Sequence, residues 1–93
     1  MTTRIVDTYE IPVGRRTTLT FPVGTRVFDA VPFASAVGIV KLVTNMPKQG
    51  IGEQRRTFLV DIAPIELEQG KAAHIRSLDR GDGVIVHVFE ILA

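Results

Sequence analysis

This sequence predicts an all-β domain of about seven short antiparallel strands, folded as a sandwich or a small barrel. Three features carry that prediction. The punctuation Ile11-Pro12-Val13-Gly14 recurs as Phe21-Pro22-Val23-Gly24, with an extended run after each. Proline presets the second position of a type I turn and glycine suits the fourth, so the chain is expected to reverse at both. Apolar and polar residues alternate with strand period in Thr17–Phe21, and the runs Ala36–Thr44 and Gly83–Leu92 are rich in valine and isoleucine. Helical composition is confined to Pro64–Ala73, where Gly70 cuts the run short, so at most one helical turn is expected near 65–73.

Arg4–Ile11 reads as the first strand, with Ile5, Val6, Tyr9 and Ile11 as its apolar members and Asp7 on the side of Tyr9. Thr17, Leu19 and Phe21 share one face of the second strand and Thr18 and Thr20 the other, the pattern of a half-exposed strand near a sheet edge. The two Pro-Val-Gly turns make the first three strands, through Thr25–Val31, two consecutive hairpins. In Ala36–Thr44, Val37, Ile39 and Val43 lie on one face and Val40 and Leu42 on the other, so burial on both sides is expected, with Lys41 marking where the first face meets water. Asn45–Gln54, aperiodic with one proline and two glycines, is predicted to be the longest and most mobile loop.

Arg55–Ile62 returns as a strand with Phe58, Val60 and Ile62 inward, and Arg56 shares their parity at the edge of that face. His74–Asp79 is a short strand, and Arg80-Gly81-Asp82-Gly83 is a hairpin turn, because aspartate before glycine between strands favours the tight reversal. The last strand carries Val84, Val86 and Val88 on one face and Ile85, His87, Phe89 and Ile91 on the other, which places it in the middle of a sheet.

The 93 residues form one domain, 1–93. Apolar residues make up 45% of the chain and its mean hydropathy is positive, although a domain of this size buries only about 60% of its unfolded surface. A second copy covering the remaining apolar surface is therefore expected, making a homo-oligomer. No apolar run approaches the roughly 18 residues of a membrane span. The start Met1-Thr2-Thr3-Arg4 lacks the apolar segment of a secretory signal, and there is no cysteine, which fits a cytoplasmic protein and excludes thiolate metal sites and cysteine nucleophiles. A net charge of +1, a single tyrosine and no tryptophan weigh against nucleic acid as a partner.

Four segments resemble a family of small uncharacterised proteins encoded by bacteriophages. They are Tyr9-Glu10-Ile11, the run Leu19–Val27, Arg56-Thr57-Phe58 and Val86–Glu90, and together they span most of the chain. Two features differ from the family's pattern. Val86 stands where the family often has tryptophan before the histidine, and Asp61-Ile62-Ala63-Pro64 replaces its glycine-histidine-proline turn. The resemblance implies phage origin, the host cytoplasm and an accessory role, without implying a reaction; countering host defence is the task expected of such a protein.

The candidate ligand-binding residues are the arginine pairs Arg15-Arg16 and Arg55-Arg56, with Gly50 and Gly52 of the loop between. Guanidinium forks match phosphate and carboxylate oxygens, and glycine lets backbone approach closely. If the sheet brings both pairs to one rim, they would hold a small anion such as a signalling nucleotide beneath the Asn45–Gln54 loop. Otherwise they are solvated charges paired with Glu10, Glu53 or Asp61. The alternatives are an inhibitor docking on a host protein through Phe28, Phe33 and Met46, or a structural component of a virion.

No catalytic residue, metal site or cofactor is assigned. His74 and His87 would need a third ligand from aspartate or glutamate, and His87 between Ile85 and Phe89 reads as a hydrogen-bonded core histidine. Asp7, Asp29 and Asp61 show no acid–base spacing, and no lysine-serine or lysine-threonine pair follows Gly50-Ile51-Gly52 as a phosphate loop requires.

Overall fold

The computed structural model describes residues 3–92 as seven antiparallel strands in two sheets, with no helix among them. β1 (Arg4–Pro12), β4 (Ile39–Pro47) and β3 (Arg26–Pro32) form a three-stranded sheet in that order. β2 (Arg15–Pro22), β5 (Glu53–Ile62), β7 (Ile85–Ile91) and β6 (Ala72–Asp79) form a four-stranded one. Each sheet keeps two edges, so the architecture is a sandwich and not a closed barrel. Among the described residues no helix is long and apolar enough to cross a membrane.

The core lies between the sheets, where period-two alternation sends one face of every strand. Phe21, Phe58, Val60, Val86 and Val88 from the larger sheet meet Ile11, Ala30, Val40 and Leu42 from the smaller, all fully buried. Tyr9, Phe21 and Phe58 form an edge-to-face series with ring centroids 5.1 and 6.1 Å apart, the geometry that the aromatic quadrupole favours. β2 is an edge strand and β7 is central, as their patterns predict. The Asp79–Ile85 pairing closes the β6–β7 hairpin around Arg80–Gly83. There the Asp79 carboxylate accepts the Gly81 and Gly83 amides at 2.7 and 3.0 Å.

The two Pro-Val-Gly turns are not hairpins. β1 pairs with β4 and β2 with β5, so each turn carries the chain across from one sheet to the other. The amide of Val13 donates to Gly38 at 2.8 Å and that of Gly14 to Val60 at 2.7 Å, so the turn's own donors are shared between neighbours instead of closing a ladder. Gly14 and Gly24 have φ of 96° and 93°, which explains glycine at both. A turn signal specifies that the chain reverses, not the plane in which it does so.

Three other expectations are corrected. β4 extends through Asn45-Met46-Pro47 and β5 begins at Glu53, which shortens the predicted loop to 48–52. In β4 only one face is enclosed: Val40, Leu42, Thr44 and Met46 are buried, while Ile39, Lys41, Val43 and Asn45 are half-buried on the outer side and Val37 is 47% exposed. Ile62, at the end of β5, is 41% exposed and not inward.

Segment 63–71 is an extended connection ending in a turn, in which Lys71 N–H donates to Glu68 at 3.0 Å. β5 ends beside Val86 and β6 starts beside Ile91, so this connection must run the length of β7, roughly 17 Å. A helix over those positions would reach only about 13 Å. Distance overrides the local helical composition.

Candidate functional site

The arginine pairs do not meet. Arg15 and Arg16 pair in register with Val60 and Leu59, whereas Arg55 and Arg56 pair with Thr20 and Leu19. Roughly 10–17 Å of strand lies between them. Each pair lies near the start of its own strand, and antiparallel neighbours start at opposite ends.

Arg56 is a structural clamp. Its Nε and Nη2 donate to the two oxygens of Glu90 at 2.7 and 2.6 Å, and its Nη1 donates to the Thr25 carbonyl at 2.7 Å. The guanidinium sits 5.8 Å from the ring centroids of both Phe21 and Phe58. With side chains only 17% and 18% exposed, Arg56 and Glu90 are committed to each other, and their fork-to-fork geometry binds β5, β7 and the β2–β3 turn together. Arg55, of opposite parity, points outward and is exposed.

Gly50 and Gly52 lie at the Arg55 end of the sheet, against the β2–β3 turn. A Cβ on Gly50 would stand 2.6 Å from the Cβ of Pro22, and Gly52 has φ of 78° and accepts a hydrogen bond from Val23 N–H at 3.2 Å. Both glycines therefore have a backbone reason to be there.

Arg16 lines a cavity of about 320 Å³ with Glu66, Leu67, Glu68, Lys71 and Ile91, where segment 63–71 crosses the outer face of the larger sheet. Two cations and two carboxylates leave the lining without a net charge. That suits a zwitterionic or mixed surface better than a polyphosphate.

The outer face of the smaller sheet is the more open surface. Val6, Asn45 and Arg26 form one row across β1, β4 and β3. A bulge between Val27 and Asp29 leaves Phe28 out of the ladder, and it turns outward beside Arg26 and Asn45 around a shallow hollow of about 260 Å³. Val6 is 63% and Phe28 53% exposed. The row is pinned by Arg4, which donates to the Asn45 side chain, to the Asn45 carbonyl at 3.0 Å and to the Gly24 carbonyl at 2.9 Å. Phe33 is half-buried with Lys41 Nζ 4.7 Å above its ring, and Met46 is a core residue, so of the three anchors expected from sequence only Phe28 stands free.

A third constellation occupies the outer face of β6 and β7. Ser77 Oγ lies 2.5 Å from His87 Nδ1 and 2.9 Å from His74 Nε2. The single hydroxyl proton serves one imidazole, and the other imidazole donates its N–H to the same oxygen. His87 is thus half-buried on the outer face and not in the core. Ser77 was missed in the sequence, yet counting outward from the Arg80–Gly83 turn places it opposite His87. Asp61 pairs with His87 from the other side, but its carboxylate accepts the Ile62 amide at 2.8 Å.

Comparison with protein-family models, with curated proteins and with solved structures finds no match to this chain.

Proposed function

We propose that this protein is a non-enzymatic interaction module, a phage accessory protein of the host cytoplasm, which docks through the outer face of its three-stranded sheet and first of all onto a second copy of itself. The observation that carries this reading is the pair of solvent-facing apolar side chains, Val6 and Phe28, 63% and 53% exposed on the outer face where Arg4 ties β1 to β4 and to the β2–β3 turn. Covering an aromatic and a branched side chain stabilises an interface by roughly 1.5–3 kcal/mol each, and aromatic side chains are the usual anchors. A host protein is the other partner such a face would take.

Sedimentation velocity at micromolar concentration tests the reading. The wild-type chain is expected to sediment as an oligomer, and Phe28→Asp is expected to weaken association by at least about tenfold while far-UV circular dichroism stays unchanged. A monodisperse wild-type monomer refutes self-association and leaves capture of a host protein, abolished by Phe28→Asp, as the remaining docking function.

One observation favours a second reading, the sequestering of a small ligand that carries an anionic and a cationic group. Arg16 and Lys71 share one cavity with Glu66 and Glu68. In a panel of amino-acid-like zwitterions and nucleotides, the zwitterions are expected to raise the melting temperature of the wild-type chain but not of Arg16→Ala, following RT ln(1 + [L]/Kd). Absence of any shift removes it.

A further inference from the structure

On the outer face of β6 and β7, two imidazole nitrogens face the same side-chain oxygen, that of Ser77. His74 Nε2 and His87 Nδ1 both lie within hydrogen-bond reach of Ser77 Oγ, so they are no further apart than those two contacts laid end to end. We infer that His74 and His87 together chelate one divalent late transition-metal ion, of the copper, nickel or zinc type, with the Ser77 oxygen and water completing its shell. Neutral imidazole is a preferred ligand for all three, and metal–nitrogen bonds of about 2.0–2.1 Å require the two nitrogens to come within about 4 Å. A rotamer adjustment of exposed His74 supplies that approach.

The backbone brings these groups together. Residues three apart in a regular strand face opposite sides of the sheet. His74 and Ser77 are three apart, yet share a face, because the register of β6 against β7 shifts between His74 and Arg76. This bulge re-aims His74, as bulges beside sites commonly do. Ser77 pairs directly with His87, and Phe89, opposite His74, backs its ring at 5.1 Å between centroids. The ligands thus stand on two hydrogen-bonded strands. Two imidazoles and one hydroxyl are fewer than the four protein ligands of a closed structural site, so the ion retains open positions for water or an incoming ligand.

Calorimetric titration of the full chain with Cu(II), Ni(II), Zn(II) and Mg(II) salts, each alone in a non-coordinating buffer, tests the inference. One ion per chain is expected, with Cu(II) tightest and Mg(II) not bound. Cu(II) is expected to broaden the imidazole proton resonances of His74 and His87 before any others. His74→Ala and His87→Ala should each weaken Cu(II) binding by more than the roughly 10–100-fold that loss of a supporting partner costs. Ser77→Ala should cost less than either. His74 is exposed, so its variant remains informative even if His87→Ala folds poorly. Failure of Cu(II) to bind the wild-type chain at millimolar concentration, or equal binding by a folded His74→Ala chain, overturns the site.

Discussion

Arg56 and Arg55 are neighbours in sequence with opposite fates. Truncating Arg56 to alanine leaves the Glu90 carboxylate enclosed with both of its guanidinium donors gone and the Thr25 carbonyl short of a donor. The expected loss of stability in urea unfolding is about 2–3 kcal/mol. Lysine restores little of it, because an ammonium cannot reproduce the planar fork. Arg55→Ala should change stability by less than about 0.5 kcal/mol, as an exposed surface substitution does. Gly50 makes the complementary point. A methyl group there meets the Pro22 ring at 2.6 Å, and neither partner is the free end of a flexible chain. Gly50→Ala is expected to cost about 1–3 kcal/mol in the same measurement, whether or not any ligand is present. The parity of Arg56 with Phe58 and Val60 was legible in the sequence. Its partner Glu90, far along the chain, was not, because only the β5–β7 register puts Glu90 opposite Phe58.

At the level of elements, the seam between the sheets on the β3–β6 side rests on Arg76, which donates to Asp29 at 2.8 Å and to the Ala30 carbonyl at 3.3 Å. The Arg76 hydrogen bond, followed by that from the Ala30 amide, holds the Asp29 carboxyl below its ordinary value of 3.8. The folded state therefore binds the proton of Asp29 less readily than the unfolded chain does. Stability from this contact is full above pH 3.8 and is lost as the pH falls through the lower folded value. Thermal melts of wild type and Asp29→Asn should differ at neutral pH and converge in strong acid. Both partners are more than one-third exposed, so the difference is small and shrinks with added salt. In the β6–β7 turn, the Arg80 hydrogen bond likewise lowers the carboxyl of Asp82, the two joined at 2.9 Å. The Asp-Gly turn was readable from the sequence because its reversal joins adjacent strands of one sheet. The Pro-Val-Gly turns were misread as hairpins because the same local chemistry also serves a crossing between sheets.

Across the whole molecule, the two sheets enclose one core and leave two outer faces with unlike chemistry. The smaller sheet presents Val6 and Phe28, and the larger presents the histidine–serine cluster and the Arg16 cavity. If self-association uses the smaller sheet, it should leave Cu(II) binding on the other face unchanged, because the two sites lie on opposite outer surfaces. Titrating Phe28→Asp with Cu(II) and finding wild-type affinity is the expected outcome. A coupled loss would show that the two faces share an interface.

What the amino-acid order settles here is everything that depends on neighbours along the chain. It determines the strand periods of Thr17–Phe21 and Ile85–Ile91, the edge character of β2, the central place of β7 and the reversal at Asp82-Gly83. Tertiary structure alone decides what depends on register: the separation of the arginine pairs, the Arg56–Glu90 clamp, and the bulge that carries His74 to the side of Ser77. The physical reason is that side-chain parity is a local property of a strand. Which strand lies beside it, and in which phase, is fixed by the burial of Phe21, Phe58, Val86 and Leu42 against one another across the sandwich.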